Sequence, residues 1–377
     1  MRIGFLADKI PYQNRRGWGV YSYQLLKAIL SIDQENIYRC FYAFFRKGNR
    51  RFIFNDPVAN LENCVWTLPG RLLKLLWEDW KIMAAEDFLG PVDVLHSPYE
   101  FLPKTRRTKT VVTVHDVTFL KHPDYLDPSF VRLYSRRIKH IVNKADKIIV
   151  DSQNTQKELL EFTNASPDRV SVIHPGVDPR FAPLKDDIKL RDLKRRFGIS
   201  GPYILFVGAA DKDKNLNRLA EAFSRLIPKH DHLQLVFAGS LDWGYQSLQE
   251  KFVSLCEKNK LILTGFVNEM DLPVLYSGAQ VLAIPSIHEG FGLPAVEAMA
   301  CGVPVLSSNT SSLPEIVEDA AVQVDPYDVD HIAEGLRSLI EDKDIHLNCA
   351  KKGLERAKSF SWENTARQTI KIYKELL

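Results

Sequence analysis

The sequence lacks the apolar segment that a membrane-spanning helix requires. No run of about eighteen apolar residues occurs in it, although hydrophobic residues make up 45% of the chain. The first residues, 1–7, predict a β-strand and not a signal peptide. These absences favour a globular protein, and a length of 377 residues predicts two domains of ordinary size.

Cysteine is scarce, and the first glycine-rich loop lacks a dinucleotide fingerprint. The five cysteines are isolated and no Cys/His metal spacing appears, so we expect reduced thiols in a cytoplasmic protein and no metal cofactor. The first predicted strand is not followed by Gly-x-Gly-x-x-Gly, which argues against a dinucleotide site there. The loop instead ends in Arg15-Arg16-Gly17-Trp18-Gly19 and leads into a helix predicted from Val20 to Leu30.

Charge is nearly balanced overall but unevenly distributed. The formal net charge is +3, yet residues 1–185 carry 28 Lys and Arg against 20 Asp and Glu. A basic first half suits an anionic partner, such as the surface of a membrane, or is simply a solvated surface. Residues 71–89 predict one amphipathic helix, with Trp77 and Trp80 either on anionic lipid or on a core-packing face.

The most informative stretch runs from Val281 to Leu306. An apolar run predicts a buried strand, and a polar turn with Glu289 and Gly290-Phe291-Gly292 follows it. Pro294 suits the start of a helix, Glu297 falls in its predicted first turn, and Gly302 is the expected C-cap.

Chemistry at this turn points to a nucleotide sugar. Glycines before a helix expose backbone N–H groups, and the helix dipole favours an anion such as phosphate. Glu289 and Glu297 do not bind phosphate, but carboxylate oxygens accept hydrogen bonds from the hydroxyls of a diol. A phosphate cradle beside two diol acceptors fits a sugar–phosphate–ribose ligand. Alternatively, the two glutamates merely favour the helix N-terminus.

The string from Glu289 to Glu297, followed by Ala-Met-Ala-Cys-Gly-Val-Pro-Val, closely resembles the E-x7-E signature of retaining glycosyltransferases of family 4. That resemblance implies the GT-B fold: two Rossmann-like α/β domains with parallel sheets, facing a cleft. We expect an acceptor-side domain over 1–183 and a nucleotide-sugar domain over 200–360, with 179–200 as their connection. The C-terminal helix, 361–377, is expected to cross back onto the first domain, with Trp362 as its anchor.

The resemblance also assigns roles. It implies that Glu289 holds sugar hydroxyls, that Glu297 holds the ribose, and that Lys214 and the loop amides stabilise the leaving diphosphate. His115, in a string resembling the family segment that reaches the transferred sugar, completes the expected catalytic set. The remaining donor-binding positions are Gly17, Gly19, Gly208, Gly239, Phe266, Val267, Gly290, Phe291, Gly292 and Leu293.

Two positions depart from the family pattern. Asp213 and Ala209 stand where many members have arginine, which leaves the second cation for the diphosphate unidentified. Asp211-x-Asp213 also mimics the metal-binding Asp-x-Asp of the other large glycosyltransferase fold. An acid there better suits the cap of the following helix, and the family implies that no metal is required.

Strand-like runs in the first half end in polar residues. His96, His115, Asp151 and His174 follow or close successive predicted strands. Because parallel strands present their carboxyl ends at one edge of the sheet, we expect these ends to form a site. A lone histidine after a strand is more often structural, and only the resemblance favours a functional His115.

We therefore predict a hexosyltransferase that uses a nucleoside-diphosphate sugar and retains the anomeric configuration. Resemblance to the mannosyltransferase branch of bacterial polysaccharide synthesis makes GDP-mannose the first choice of donor, with a glycan or polyprenyl-linked glycan as acceptor at the inner membrane face. The alternatives are a UDP-sugar-dependent glucosyl- or N-acetylglucosaminyltransferase, another GT-B chemistry such as an epimerase or phosphorylase, and a non-catalytic nucleotide-sugar-binding protein. Acceptor specificity is expected in residues 8–19, 35–90 and 96–130.

Overall fold

The computed structural model describes residues 1–10, 17–44, 53–54, 59–80, 82–184, 186–239 and 250–377. Arg15, Arg16 and Lys81 of the sequence predictions lie outside these ranges. The chain divides into two compact units, Met1–Gly176 with Ser361–Leu377, and Val177–Phe360. The segment 179–200, expected as a connection, belongs to the second unit and contains a helix, Asp187–Phe197.

The first unit is built on a seven-stranded parallel sheet. Its strands are Arg2–Leu6 (β1), Ile37–Ala43 (β2), Leu61–Trp66 (β3), Val94–Ser97 (β4), Lys109–Val114 (β5), Lys147–Val150 (β6) and Val170–Val172 (β7). Their spatial order is β3-β2-β1-β4-β5-β6-β7. This order reverses direction between β1 and β4, which is the switch point where ligands of such sheets bind. Strands β4 to β7 are neighbours, so their polar ends lie along one edge.

Helices connect the strands of this sheet. Those of the first unit are Trp18–Ile32, Gly70–Lys74, Glu86–Leu89, Thr118–Lys121, Pro128–Lys144, Gln153–Phe162 and Trp362–Glu375, with a π-helical turn at Leu75–Asp79 and 3₁₀ turns at Pro123–Tyr125 and Pro167–Arg169. The last helix packs on the same core: Trp362 is 7% exposed, and its ring meets Tyr21 at 5.6 Å. Gly176 has no room for a side chain, since a Cβ would lie 2.1 Å from the Trp362 nitrogen.

The prediction of one helix over 71–89 is wrong. A short helix passes into the π turn Leu75–Asp79, and a separate helix begins only at Glu86. The wider turn changes which side chains share a face, so Trp77 is 2% exposed whereas Trp80 is 59% exposed. Trp77 packs against aromatic rings of the core, Phe41 and Phe88, and therefore does not reach a membrane surface.

The second unit contains a six-stranded parallel sheet. Its strands are Tyr203–Val207 (β8), Gln234–Ala238 (β9), Leu261–Gly265 (β10), Val281–Ile284 (β11), Val305–Ser308 (β12) and Ala321–Val324 (β13), in the order β10-β9-β8-β11-β12-β13. Here the order reverses between β8 and β11, and this gap positions the site described below. Apolar side chains on both faces of the sheet are buried.

Three of the helices in the second unit are capped by an aspartate, at Asp186, Asp328 and Asp342. The helices of this unit are Asp187–Phe197, Leu216–Ser224, Val253–Glu257, Leu272–Ser277, Leu293–Ala300, Leu313–Val317, Val329–Glu341 and Lys343–Ala357, with 3₁₀ turns at Lys212–Lys214 and Glu318–Ala320. Asp328 is the N-cap of Val329–Glu341, because its carboxylate accepts the N–H groups of Asp330 and His331 at 2.9 and 3.1 Å. Gly302, with φ of 73°, follows the Leu293–Ala300 helix and takes the left-handed conformation expected of a terminating glycine.

All five cysteines are free thiols. Within the described ranges, no helix combines the length and the apolar character that crossing a bilayer would take.

Candidate functional site

The central pair of the second unit joins the two sides of its switch point. Lys214 ends the 3₁₀ turn after β8, and Glu289 lies in the loop after β11. The Lys214 Nζ lies 2.9 Å from a Glu289 carboxylate oxygen. Their strands are neighbours in the sheet, so residues 75 positions apart by number meet where a ligand of a doubly wound fold would bind.

Lys214 is flanked by two acids. Its Nζ also lies 2.9 Å from the Asp213 carboxylate, and the lysine side chain is 19% exposed. Burial disfavours the charged ammonium, but Asp213 and Glu289 outweigh it and hold the pKa of Lys214 well above its usual range. The expected use of an acid at this turn as a helix cap is wrong. No side-chain capping bond starts the Lys212–Lys214 turn or the following helix, because Asp213 is committed to the lysine.

The loop of Glu289 is tied to a second loop by serines. Ser311 and Ser312 donate their hydroxyls to the Glu289 carbonyl at 2.7 and 2.8 Å, and the Ser311 Oγ also accepts the Glu289 N–H at 3.1 Å. The buried Ser286 donates to the Glu289 Oε1 at 2.9 Å. These bonds hold the carboxylate in place with one oxygen toward Lys214, which is the positioning that a binding residue requires.

The turn Gly290–Gly292 leads into the Leu293–Ala300 helix as expected. Gly292 has φ of 101°, and a Cβ there would lie 2.6 Å from a Leu313 methyl group, so glycine is required for both reasons. The Phe291 ring is buried in the core, and its carbonyl accepts the Ser312 hydroxyl at 3.0 Å. Leu293 is the first helical residue, with Pro294 beside it.

Glu297 lies in the second turn of that helix, one turn later than predicted, since the helix begins at Leu293. One of its oxygens accepts the hydroxyl of Tyr276 at 2.8 Å. Burial of the carboxyl raises the pKa of Glu297 to about 7, against the lowering effect of that hydrogen bond. Proton uptake by this carboxyl therefore occurs near neutral pH, and only the ionised form accepts hydrogen bonds through both oxygens.

The donor-binding positions predicted at the strand ends of the second unit differ in their packing. Gly239 approaches Gly208 so closely that a Cβ would lie 1.7 Å from the Gly208 oxygen, and Gly239 N–H donates to Gly265 at 3.0 Å. These glycines therefore bring the ends of β8, β9 and β10 together. Phe266 is 38% exposed, whereas Val267 is 4% exposed and belongs to the core.

His115 follows β5 in the first unit and is held at both ring nitrogens. Its Nδ1 lies 2.6 Å from the Asp151 carboxylate, and its Nε2 donates to the Pro98 carbonyl at 3.0 Å. Its backbone N–H donates to Glu100 at 2.6 Å, and the ring of Tyr21 packs edge-on at 4.6 Å. Burial disfavours the imidazolium, yet Asp151 and Glu100 raise the pKa of His115 to about 9.

The two acids beside His115 are themselves incompletely satisfied. Glu100 and Asp151 are 3% and 4% exposed. One buried oxygen of each, Glu100 Oε2 and Asp151 Oδ1, has no hydrogen-bond partner among the described residues. Burial raises the pKa of Glu100 to about 7, although the charge of His115 lowers it. The pair keeps His115 protonated and oriented.

Other first-unit predictions are only partly met. Gly17 precedes the Trp18–Ile32 helix with φ of 41°, but Gly19 is buried inside the helix, which begins two residues before the predicted Val20. His96 belongs to β4 and is fully buried, with its ring nitrogens 2.6 Å from the Tyr373 hydroxyl and 3.0 Å from that of Thr113. Burial, together with the nearby His115, lowers the pKa of His96 to about 3, so it is a neutral structural residue.

Sequence reasoning missed the partners of the site residues. Glu100, Tyr276 and the serines 286, 311 and 312 carry no motif of their own. Asp151 was noticed only as a strand end, although the adjacency of β5 and β6 would have paired it with His115. Among the described residues, no group of three or more His, Cys, Asp or Glu is arranged to hold a metal ion.

Similarity to known proteins agrees with this geometry. The family described as Glycosyl transferases group 1 matches residues 192–356, and Glycosyltransferase Family 4 matches residues 42–181. The O-antigen chain mannosyltransferase B of Escherichia coli is 30% identical over 390 residues, covering 100% of both chains.

Solved structures show the fold. A sucrose-phosphate synthase from Thermosynechococcus elongatus aligns with a TM-score of 0.79 at 22% identity, over 100% of this chain and 99% of that one. Anabaena HepE, solved in complex with UDP-glucose, aligns with a TM-score of 0.75 at 18% identity over the whole of both chains. With its two parallel Rossmann-like sheets and a relative matched along its full length, the chain belongs to the family 4 glycosyltransferases of GT-B fold and is a hexosyltransferase.

Proposed function

We propose that this enzyme transfers mannose from GDP-mannose to a hydroxyl of a glycan, free or linked to a polyprenyl carrier, with retention at the anomeric carbon. The observation that carries the reaction type is the Lys214–Glu289 pair at the switch point of the second sheet. The full-length similarity to a mannosyltransferase supports mannose as the sugar.

Lys214 would bind the leaving diphosphate together with the N–H groups of Phe291 and Gly292. The lysine faces two carboxylates, Asp213 and Glu289, each at 2.9 Å. We propose that the diphosphate attracts Lys214 away from Glu289, because the long lysine side chain can change partners with little cost. This exchange frees the Glu289 oxygen for the sugar hydroxyls while the charge on the diphosphate is stabilised.

Glu297 and His115 would bind the rest of the donor. The Glu297 carboxylate, oriented by Tyr276, would accept hydrogen bonds from the ribose hydroxyls. His115, kept charged by Asp151, would contact the transferred sugar. Both ring nitrogens of His115 have partners, Asp151 and the Pro98 carbonyl, so a contact with the sugar would replace the bond to Pro98.

Calorimetry with GDP and UDP tests the donor base. Tighter binding of GDP is expected, and tighter binding of UDP would contradict the mannose assignment and favour a UDP-sugar donor such as the one bound to HepE. Proton NMR of the newly formed glycoside tests the stereochemistry. An α-linked product from GDP-α-mannose is expected, and a β-linked product would rule out retention. Slow hydrolysis of the donor without acceptor separates an enzyme from a non-catalytic binding protein.

We also propose a peripheral contact with anionic membrane through the segment around the π turn. Leu72, Trp80 and Ile82 are 38%, 59% and 61% exposed, and Arg71 and Lys74 lie in the same short helix. Apolar and basic side chains exposed together suit an anionic lipid surface. Sedimentation with phosphatidylglycerol vesicles should be weakened by Trp80→Ala. The same change at Tyr327, exposed to 53% in the second unit, is the matched control.

A further inference from the structure

A small cavity in the first unit is lined by none of the proposed catalytic or donor-binding residues. It lies between the π turn Leu75–Asp79, the Pro128–Lys144 helix and the segment after β4, and it has a volume of about 60 Å³. A water needs about 10–15 Å³ of such space, so the cavity admits several hydroxyl-sized groups but not a whole ligand.

Three polar groups that line this cavity are unsatisfied. The Trp77 Nε1, the Arg137 Nε and the Glu78 Oε2 are buried and have no hydrogen-bond partner among the described residues. Trp77 is 2% exposed, and the Glu78 side chain is 9% exposed. Burying polar atoms without partners is costly, so three at one cavity require an explanation. The π-helical turn supports a functional explanation, because such turns often occur at functional sites.

These groups define the chemistry of a ligand. Trp77 and Arg137 offer two N–H donors, and Glu78 offers one acceptor oxygen. Arg137 is already paired with the other Glu78 oxygen, Oε1, and Arg136 lies 3.6 Å from the Glu78 Oε2, beyond hydrogen-bond distance, and 3.6 Å from Asp79. The charges are therefore balanced, so a phosphate would meet a carboxylate and a metal ion would meet two guanidinium groups.

Neighbouring hydroxyl groups satisfy all three atoms at once, because a hydroxyl both donates and accepts. Phe101, Leu102 and Trp77 supply the apolar part of the lining. Phe101 also stacks on Trp77, with ring centroids 5.8 Å apart and planes 27° apart. A pyranose edge with adjacent hydroxyls is the ligand class that fits.

We infer that this cavity, which we call the Trp77 pocket (Trp77, Glu78, Phe101, Leu102, Arg136, Arg137 and His140), is a binding subsite for a sugar of the glycan acceptor. The assignment to the acceptor rests on the proposed function. Trp77, Glu78, Phe101 and Leu102 also fall in two of the ranges, 35–90 and 96–130, in which the sequence predicts acceptor specificity, whereas Arg137 lies just beyond them. Its sugar would be an existing residue of the glycan and not the one being transferred.

Two conservative variants test the pocket. Arg137→Lys keeps the charge beside Glu78 but removes the Nε–H, and Trp77→Phe keeps an aromatic ring but removes the indole N–H. Arg132→Lys, exposed on the same helix, is the matched control. Binding of a linear mannotriose to the full-length protein is measured by saturation-transfer NMR and titration, and mannotriose KM is measured with GDP-mannose.

Each pocket variant should weaken mannotriose binding about 3–10-fold, the effect of one lost hydrogen bond, and raise KM alike. GDP affinity and acceptor-free hydrolysis should stay unchanged. Leu102→Phe, which fills the cavity without removing a polar group, should have the same effect if a variant proves unstable in thermal melting.

The outcomes separate this inference from the proposed function. If mannose is transferred and the pocket variants keep the mannotriose affinity and KM of the wild type, the Trp77 pocket is not an acceptor subsite. Competition by inorganic phosphate would also overturn it, because it would show an anion site. If GDP-mannose is not used but the variants still lose mannotriose binding, the pocket stands and the donor assignment fails.

Discussion

The two units solve the same electrostatic problem in different ways. Each holds a cation between two acids: Lys214 between Asp213 and Glu289, and His115 beside Asp151 and Glu100. Lysine is a flexible chain whose single ammonium makes both ion pairs. The imidazole of His115 is a rigid ring, bonded at both nitrogens and fixed by its own backbone N–H.

This difference suggests different tasks. A lysine can exchange a carboxylate for a phosphate oxygen without moving the backbone, whereas a ring held at both ends serves as a fixed, charged donor. The surroundings agree: the acids at Lys214 are 10% and 14% exposed at their side chains, and those at His115 are nearly fully buried with one unpaired oxygen each. We therefore expect Lys214 to act on charge that develops in the reaction and His115 to act on position.

The largest expected effect comes from removing the exchangeable cation. Lys214→Met should lower kcat about 10²–10³-fold, the usual loss when a group that stabilises transition-state charge is removed. It also leaves Asp213 and Glu289 without their shared cation, so the melting temperature should fall. Steady-state kinetics and thermal melting measure the two effects.

A neighbouring lysine provides the control for that change. Lys212→Met alters an exposed lysine of the same turn and should leave kcat near the wild-type value. Adding Asp213→Asn to Lys214→Met should restore part of the stability but none of the turnover. Recovery of turnover in the double variant would show that the lysine serves only to neutralise its neighbours.

A smaller effect is expected at Glu297, which we propose binds the ribose of the donor. Glu297→Ala should weaken donor binding about 10–150-fold, since a hydrogen bond to a charged group contributes about 1.5–3 kcal/mol. Calorimetry with GDP-mannose measures it, and Glu334→Ala, on an exposed helical position of the same unit, is the control. Unchanged donor affinity and kinetics would remove Glu297 from the site.

Much of this arrangement was predictable from local patterns, because strand ends and glycine turns are local features. Short apolar runs and the glycine and proline residues that end them predict three features: the strand before Lys214, the loop of Glu289 and the turn from glycine into helix. Parallel-sheet order then brings Lys214 and Glu289 together without further information.

Partners that come from distant parts of the chain were not predictable in this way. Tyr276 reaches Glu297 across 21 positions, and Asp151 reaches His115 across 36, with no motif to mark either. Trp77 and Trp80 looked alike because helical periodicity assumes 3.6 residues per turn. The π turn breaks that assumption and buries one of the two. An acid of Asp211-x-Asp213 is expected to cap a helix by a rule about helix ends, which takes no account of the ion pair between Asp213 and Lys214.

Protonated His115, the fixed cation of the first unit, should make the free energy of unfolding depend on pH. Unfolded histidine has a pKa of about 6.5, and His115 has a folded pKa of about 9. A raised pKa means that the folded state binds the proton more tightly. The stability that this proton contributes is therefore complete below the unfolded pKa and is lost as the pH rises through the folded pKa. The shift corresponds to about 3 kcal/mol.

We therefore expect the first unit to lose stability between these two pH values, and His115→Gln to lose less over the same interval. Chemical denaturation followed at several pH values measures this. His232→Gln, with its side chain 63% exposed, is the control and should follow the wild type. Equal pH slopes for the wild type and His115→Gln would mean that Asp151 does not hold the proton on the ring.

The smallest expected effect is that of metal removal, which tests whether Lys214 alone supplies the cation beside Asp213. Asp213 is the acid that resembles a metal-binding Asp-x-Asp, but its carboxylate is 2.9 Å from the Lys214 ammonium. A divalent ion would have to displace a cation that is already covalently part of the site, at a net cost in charge repulsion. Turnover should therefore survive incubation with EDTA followed by desalting, with added Mn²⁺ giving no increase.

The opposite result would reassign these residues. If EDTA abolished activity and Mn²⁺ restored it, Asp211 and Asp213 would be metal ligands, and Lys214 would hold the two acids in place when no metal is bound. Asp211→Asn separates the cases further, because it removes a ligand while leaving the Asp213–Lys214 pair intact, and it should behave as the wild type in both conditions.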